Sequence, residues 1–289
     1  MEFLIIGASA TGKTHYGGQL YGRLSKRNNK LKLRGSPPNI SPFEDVLEKL
    51  SEGKTASHTE VPYTEISLPL KDDNEREVDL IWADYTGEQI NRIIEDRQIP
   101  VEWIQRLKKS KGWILFIRLS QIEKREDILS RPPGTLLKEI NDKTHTPTSK
   151  KDTTVITYIE LLQALIRATG QTTVKRINKL SLTIFLSCWD ELINTNEISD
   201  KELPLDVLKN RMPMFHQFVT ANWDESKLKV YGLSSLGKEL NSNSIDEGYV
   251  DKGPESFGYI VDDLGNHNQD LTIPIFDLTH NFHEGNNWI

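Results

Sequence analysis

The sequence is poor in the residues that build disulfide or zinc frameworks. Its 289 residues include a single cysteine, Cys188, which excludes an internal disulfide and a cysteine-based zinc site and agrees with a reducing compartment. No apolar run approaches the length needed to cross a bilayer. Since the first residues read as a buried strand, we expect no removable signal peptide, and therefore a cytoplasmic protein.

Positive charge is not in excess either. The net charge is −6, which argues against broad electrostatic binding of nucleic acid. The basic stretch 26–34 is interpreted as a solvated loop, with a local contact to RNA or to a partner as the alternative. No serine or cysteine nucleophile has a recognisable local signature. The composition is that of an ordinary globular protein, long enough to bury a full core.

The strongest positive signal is a glycine-rich run near the start. Residues 7–14 read Gly-Ala-Ser-Ala-Thr-Gly-Lys-Thr and meet the G-x-x-x-x-G-K-[ST] phosphate-loop pattern at every fixed position. Residues 3–6 predict a buried strand and 13–24 a helix, which is the context this loop needs. We expect backbone amides of the loop to face phosphate oxygens and Lys13 to neutralise the terminal phosphates. The predicted nucleotide contacts here are Gly7, Ala8, Ser9, Ala10, Thr11, Gly12, Lys13, Thr14 and His15.

The rest of the pattern predicts an α/β fold. Strands are predicted at residues 2–7, 63–70, 78–84, 113–119, 182–187 and 229–233, and helices at 13–24, 43–52, 87–95, 103–109, 155–169, 205–219 and 271–278. A short polar turn joins the second and third strands, which predicts an antiparallel hairpin. We expect a three-layer P-loop NTPase sandwich with a mostly parallel six-stranded sheet, one strand of it antiparallel. It forms a single domain over 1–289, with loop insertions near 27–54 and 120–153.

Oxygen-bearing side chains near the predicted strands are candidate magnesium ligands. Asp84 follows an apolar strand, where it can hold a magnesium-bound water, and Gly87 can present its amide to a γ-phosphate. Thr59, in the loop before the second strand, is the predicted hydroxyl ligand, with Thr55 and Thr64 as alternatives. The predicted metal ligands are therefore Thr14, Thr59 and Asp84.

A further carboxylate is a candidate reader of the base. The apolar strand 182–186 runs into Ser-Cys-Trp-Asp, and Asp190 there can accept both N1–H and the exocyclic amine of guanine, a donor pair that adenine lacks. The alternative is that Asp190 only caps the next helix. The loop after the last predicted strand would touch the guanine carbonyl through backbone amides. The predicted base-side contacts are Cys188, Trp189, Asp190, Ser234, Ser235 and Leu236.

These features, in this order, resemble the TRAFAC class of P-loop GTPases, with a Ras-like fold. Residues 187–190 and 257–275 make the chain most similar to the bacterial double-GTPase group, over residues 1 to about 280. The resemblance implies GTP or GDP as ligand, Mg²⁺ as cofactor, and a protein partner or effector, with a second GTPase as one candidate. It also implies a role in bacterial conflict or anti-phage systems. Cys188 departs from the family's lysine, whose stem packs on guanine, so Trp189 or the loop at Ser234 would have to supply that surface.

The two residues that follow Gly87 bear on GTP hydrolysis. In Ras-like proteins a glutamine orients the attacking water, but Glu88 stands at that position. A carboxylate beside the γ-phosphate is unfavourable unless protonated or paired, so either Gln89 takes the role, Glu88 binds water from a distance, or hydrolysis is slow. Both residues also fit the first turn of a helix. The predicted catalytic residues are Lys13, Glu88 and Gln89; an arginine finger cannot be assigned among Arg97, Arg118 and Arg125.

The sequence thus predicts a magnesium-dependent GTP-binding switch with slow GTP hydrolysis. Two alternatives remain open. The first is an ATP-using P-loop ATPase or phosphotransferase, in which Asp190 is only a helix cap. The second is a catalytically weak scaffold that holds nucleotide without turning it over.

Overall fold

The computed structural model of the chain describes residues 1–25, 29–56, 65–82, 88–96, 98–122 and 155–284. The strands are β1 (Glu2–Ile6), β2 (Lys32–Leu33), β3 (Ile66–Lys71), β4 (Glu77–Trp82), β5 (Gly112–Arg118), β6 (Ser181–Ser187), β7 (Leu228–Ser234), β8 (Tyr259–Val261) and β9 (His267–Asn268). The helices are α1 (Lys13–Leu24), α2 (Ser41–Ser51), α3 (Glu88–Asp96), α4 (Val101–Lys109), α5 (Val155–Thr169), α6 (Trp189–Asn194), α7 (Pro204–Arg211), α8 (Pro213–Asn222), α9 (Glu247–Lys252) and α10 (Ile273–Glu284). Within these ranges, no helix combines the length and apolar character that a membrane crossing requires.

The described strands form one mixed sheet in the order β2-β3-β4-β1-β5-β6-β7-β8-β9. The five central strands, β4, β1, β5, β6 and β7, are parallel to one another. Parallel strands with both faces covered need nearly continuous apolar residues, and β5 supplies them with Trp-Ile-Leu-Phe-Ile. The predicted hairpin is confirmed, since β3 and β4 pair antiparallel with Leu70 opposite Val78.

Helices cover both faces of the sheet. Alternate residues of β1 point to opposite faces, so that Leu4 and Ile6 join one buried cluster while Phe3 and Ile5 join the other. Apolar residues of α3, α4, α5, α6, α7 and α8 complete the first cluster, and residues of α1, α2 and α10 complete the second. The predicted three-layer α/β sandwich is therefore confirmed.

The sheet is larger than the sequence pattern predicts. Nine strands are present in the described chain instead of six, and two of them, β3 and β8, run against the parallel set. The additional strands β2, β8 and β9 have only two or three residues each, too few for an alternating pattern to be visible. The predicted helix at 205–219 is in fact two helices, because Pro213 cannot continue α7 and instead begins α8.

Close packing of α2 on α1 depends on two glycines. A Cβ at Gly17 would lie 2.3 Å from the ring of Phe43, and one at Gly18 would lie 2.7 Å from Val46. Glycine inside a helix costs about 0.5–1 kcal/mol relative to alanine, a cost that this close contact offsets. The helix that follows the phosphate loop is thereby fixed against α2.

Candidate nucleotide-binding site

The candidate site lies at the edge of the sheet where the parallel strands end. β1 leads directly into the phosphate loop, β5 ends at Arg118, β6 leads into the turn at Cys188, and β7 ends at Ser234. Their registers place Ile6 beside Leu115 and Arg118 beside Ser187. Ligands of open parallel sheets bind at this carboxyl edge, so the topology brings the loop motifs of the sequence together.

The phosphate loop folds back on itself through its own side chains. The Lys13 ammonium donates hydrogen bonds to the carbonyls of Gly7 and Ala8, each at 2.8 Å, and the Thr11 hydroxyl donates to Ala8 at 2.8 Å. Both side chains are buried, with 3% and 2% exposure. A Cβ at Gly7 would lie 2.9 Å from Cβ of Phe116, which explains why the pattern needs glycine there.

Two residues of the loop have left-handed backbone conformations. Gly12 has φ of 85° and precedes α1, and Ala10 has φ of 60°. Such a conformation is uncommon for a residue other than glycine. At Ala10 the carbonyl accepts a hydrogen bond of 3.1 Å from Nη1 of Arg118, so this peptide is held by a side chain from a different strand.

The predicted magnesium side of the site is described only in part. Thr14 lies half-buried in the first turn of α1, whereas Thr59, Asp84 and Gly87 lie outside the described residues. Strand β4, which leads towards Asp84, ends beside the loop: the Trp82 indole donates to the Lys13 carbonyl at 3.4 Å. Hydroxyl and carboxylate oxygens are the donor types that Mg²⁺ prefers, so the predicted set fits that ion in its chemistry.

The alternative magnesium ligand Thr55 has other contacts. Its hydroxyl lies 3.0 Å from Nε2 of His15, and its amide donates to the Asn241 carbonyl at 3.3 Å. Thr64, the other alternative, is outside the described residues. Within the described ranges, no group of three or more His, Cys, Asp or Glu side chains is arranged to hold a metal ion.

Asp190 is a desolvated carboxylate at the predicted base side of the site. It lies in the first turn of α6 and is 9% exposed. Burial raises the pKa of this carboxyl group above its usual value, and a hydrogen bond with Ser234 partly opposes the rise. Hydrogen bonds are stronger in the low-dielectric interior of a protein than in water. A ligand N–H group that donates to the buried Asp190 carboxylate would therefore be bound strongly.

The neighbours of Asp190 are placed differently from one another. Cys188 adopts a left-handed conformation with φ of 55° at the start of α6, and burial raises the pKa of its thiol to about 12. The Trp189 indole is fully buried, and a Cβ at Gly232 would lie 2.6 Å from it. The Trp189 ring is packed in the core and therefore does not offer the predicted stacking surface for a base. Only the backbone of Trp189 is placed to line the site.

The loop after β7 adjoins Asp190 through Ser234. Ser234 is fully buried and its hydroxyl oxygen accepts a hydrogen bond of 2.8 Å from the Gly237 amide. Ser235 is half-buried, as is Leu236, which packs against a small cluster that contains Tyr249. The loop therefore adjoins Asp190, and its contact with the guanine carbonyl stays a prediction.

The predicted catalytic side chains are less well defined. Glu88 begins α3, but the structure does not describe its side chain. The Gln89 amide oxygen accepts a hydrogen bond from the buried indole of Trp103. Of the arginines considered for a finger, Arg97 and Arg125 are outside the described residues, whereas Arg118 is held by Glu191 and the loop.

Sequence reasoning missed the partnership of Arg118 and Glu191. Nε of Arg118 lies 3.1 Å from one carboxylate oxygen of Glu191, and Nη2 lies 2.5 Å from the other. The Ser120 hydroxyl donates to Glu191 at 2.7 Å. The two charged residues are 73 positions apart, so no local spacing could reveal the pair.

A phosphate loop after an interior strand of a mostly parallel sheet, with helices on both faces, defines a P-loop nucleotide-binding protein. A family model for Double-GTPase 1 matches residues 4–278. The chain belongs to the Double-GTPase 1 family, and the predicted resemblance to the double-GTPase group is confirmed. Family membership supports a GTP-binding protein, with GTP or GDP as ligand.

Solved structures offer only distant likenesses. The Ski7 GTPase-like domain of S. cerevisiae bound to GTP has 13% identity and a TM-score of 0.41, over 85% of this chain and 45% of that one. The signal recognition particle receptor SRb-GTP/SRX complex from Chaetomium thermophilum has 16% identity and a TM-score of 0.37, over 83% and 93%. The chain thus spans less than half of the Ski7 chain. At these TM-scores the likenesses carry no argument, and no curated protein matches the sequence.

Proposed function

We propose that this protein is a magnesium-dependent GTP-binding switch that hydrolyses GTP slowly. One observation supports this most: the phosphate loop and a desolvated carboxylate, Asp190, lie at the same edge of the sheet. The first matches the triphosphate, and the second matches the two N–H donors of guanine. Adenine lacks that donor pair, so the arrangement favours guanine over adenine nucleotides.

Positioning and electrostatics would carry the chemistry. Lys13 and the loop amides would balance phosphate charge, and a bound Mg²⁺ would neutralise charge that develops on the phosphate oxygens. The residues proposed to hold that ion are Thr14, Thr59 and Asp84, with Gly87 at the γ-phosphate. Glu88 replaces the water-orienting glutamine, which is our reason for proposing slow hydrolysis. The order of residues 55–62 and 84–97 would change with the nucleotide state.

The contacts of two side chains favour a second candidate, a scaffold that holds nucleotide with little turnover. The oxygen of Gln89 is engaged by Trp103, and the donors of Arg118 are engaged by Glu191 and Ala10. Both side chains are thus bonded within the protein, and in this candidate function neither acts on the transferred phosphoryl group. Turnover would then depend on a group supplied by a partner.

Family resemblance alone supports the wider setting. We propose a cytoplasmic protein with a protein partner or effector, for which a second GTPase is one candidate, and a role in bacterial conflict or anti-phage defence. Measuring hydrolysis of GTP with and without a second member of the family would test this proposal. Stimulation of turnover is the expected result.

Calorimetry with Mg²⁺ tests the nucleotide assignment. GDP, a non-hydrolysable GTP analogue and their adenine counterparts would be titrated into the wild-type chain and into Asp190→Ala. We expect a guanine preference that disappears in the variant. Asp206→Ala is a matched control, because Asp206 is also in the first turn of a helix but is exposed. A preference for adenine, or none, would move the protein to the ATP-using class.

A further inference from the structure

One guanidinium lies between the two halves of the candidate site. Arg118 ends β5, whose neighbours in the sheet are β1 and β6. β1 leads into the phosphate loop, and β6 leads into the turn that carries Asp190. Because the carboxyl ends of parallel strands meet at one edge, a long side chain at the end of β5 reaches both segments.

On the loop side, Arg118 holds a backbone carbonyl. Nη1 donates to Ala10 at 3.1 Å, at the peptide with the left-handed conformation described above. A hydrogen bond from a charged donor is roughly twice as strong as one between neutral groups. This bond therefore favours one conformation of the loop before any phosphate arrives.

On the base side, Arg118 holds Glu191, the residue after Asp190. Two nitrogens of the guanidinium face the two oxygens of the carboxylate, and Ser120 adds a third bond to that carboxylate. A bidentate pair fixes angle as well as distance. Cys188, in the same turn, is a neutral thiol because burial raises its pKa to about 12. The charge that lies beside this turn is therefore that of the Arg118 guanidinium and its carboxylate partner, and the thiol adds none.

We propose that Arg118 and Glu191 form a clamp that sets the spacing between the phosphate loop and Asp190 and thereby tunes discrimination for guanine. This inference rests on the proposed function. A nucleoside diphosphate binds with one distance between its phosphates and its base, so a protein that already holds the matching spacing loses less free energy on binding. Arg118 acts as a positioning residue, since three of its five N–H donors bond protein groups on the two sides of the site.

The nucleotides GDP and IDP test the clamp. The base of IDP lacks the exocyclic amine, so the ratio of the two affinities reports whether Asp190 still meets both N–H donors. Calorimetry with Mg²⁺ would compare the wild type with Arg118→Ala, Arg118→Lys and Glu191→Gln. Arg34→Ala is the matched control, because Arg34 also pairs with carboxylates, those of Glu77 and Asp79 at the start of β4, away from both loops.

We expect Arg118→Ala to weaken GDP binding by about ten- to a hundredfold, the effect of losing a charged hydrogen-bond partner. The GDP-to-IDP ratio should fall with it. The GDP affinity of Arg118→Lys should lie between those of the wild type and Arg118→Ala, because one ammonium cannot bond a carbonyl and both carboxylate oxygens in the same geometry. The double variant Arg118→Ala with Glu191→Gln should bind no worse than Arg118→Ala, since a clamp acts as a unit.

Three results would overturn the inference. If GDP affinity and the GDP-to-IDP ratio are unchanged in Arg118→Ala, the clamp has no role; if affinity falls but the ratio does not, Arg118 supports only the phosphate loop. Should Arg118→Ala fail to fold by circular dichroism, Arg118→Lys and Glu191→Gln answer the same question. If the wild-type chain binds no guanine nucleotide, the proposed function fails together with the clamp. If the wild type binds GDP but the variants behave like it, only the clamp fails.

Discussion

Replacing Asp190 by asparagine should exchange guanine for xanthine as the preferred base. The asparagine amide can accept N1–H, but it presents an N–H where the exocyclic amine of guanine needs an acceptor. Xanthine has a carbonyl at that position, which the same amide N–H can satisfy. The substitution therefore changes which base finds all its partners, while the shape of the side chain stays nearly the same.

The size of the effect follows from the burial of Asp190. At 9% exposure, each hydrogen bond from the base to the carboxylate should be worth about 1.5–3 kcal/mol, and one to a neutral amide about 0.5–1.5 kcal/mol. Losing two hydrogen bonds to the carboxylate and keeping one to the neutral amide costs about 2–5 kcal/mol. GDP should bind roughly 30-fold to several thousandfold more weakly.

Calorimetric titration of GDP and XDP into the wild type and Asp190→Asn measures this directly. Asp206→Asn serves as the control, since Asp206 is an exposed first-turn residue of α7. Circular dichroism would check that the variant is folded. If Asp190→Asn binds GDP within about threefold of the wild type, or still prefers GDP to XDP, then Asp190 does not read the base and is only a helix-start residue.

Three further predictions concern the loop, pH and packing. Lys13→Ala should abolish calorimetric binding of GDP, and unchanged affinity would rule out the phosphate loop as the site. GDP affinity should fall as the pH is lowered from neutral, because the raised pKa of Asp190 means that this carboxylate protonates early and loses an acceptor. Over the same pH window the contribution of Asp190 to the stability of the free protein should rise, since its buried charge is removed. The difference in unfolding free energy between the wild type and Asp190→Asn should therefore change with pH, and the fall in GDP affinity should be absent in the variant. Gly232→Ala places a Cβ 2.6 Å from the Trp189 ring and should destabilise the fold by about 1–3 kcal/mol in urea unfolding. Gly35→Ala, with nothing within 4 Å of its Cβ, is its control, and equal stabilities would contradict the packing argument.

Local sequence signals predicted the central fold well. The five parallel strands are predicted because their apolar runs are long and both faces are covered, as in Trp113–Ile117 of β5. The phosphate loop is predicted because its glycines and Lys13 are adjacent in sequence. The hairpin of β3 and β4 is predicted because its turn is too short for a crossover.

Features that depend on distant partners could not be predicted in the same way. β8 and β9 have too few residues for a periodic pattern, and they exist because β7 offers an edge for pairing. The position of the Trp189 ring depends on the absence of a side chain at Gly232, on a neighbouring strand. The break between α7 and α8 was marked by Pro213 and could have been found.

The interior position of β1 in the sheet has a consequence for folding during protein synthesis. Its two neighbours in the sheet are β4 and β5, which are translated much later. At about 5–20 residues per second, roughly 4 to 15 seconds pass between synthesis of β1 and synthesis of β4, the first of the two neighbours to be made. During that time the apolar residues of β1 have no strand to pair with, which makes them a ready target for chaperones. The phosphate loop is translated early, yet its bond with Arg118 can form only after β5 has been made.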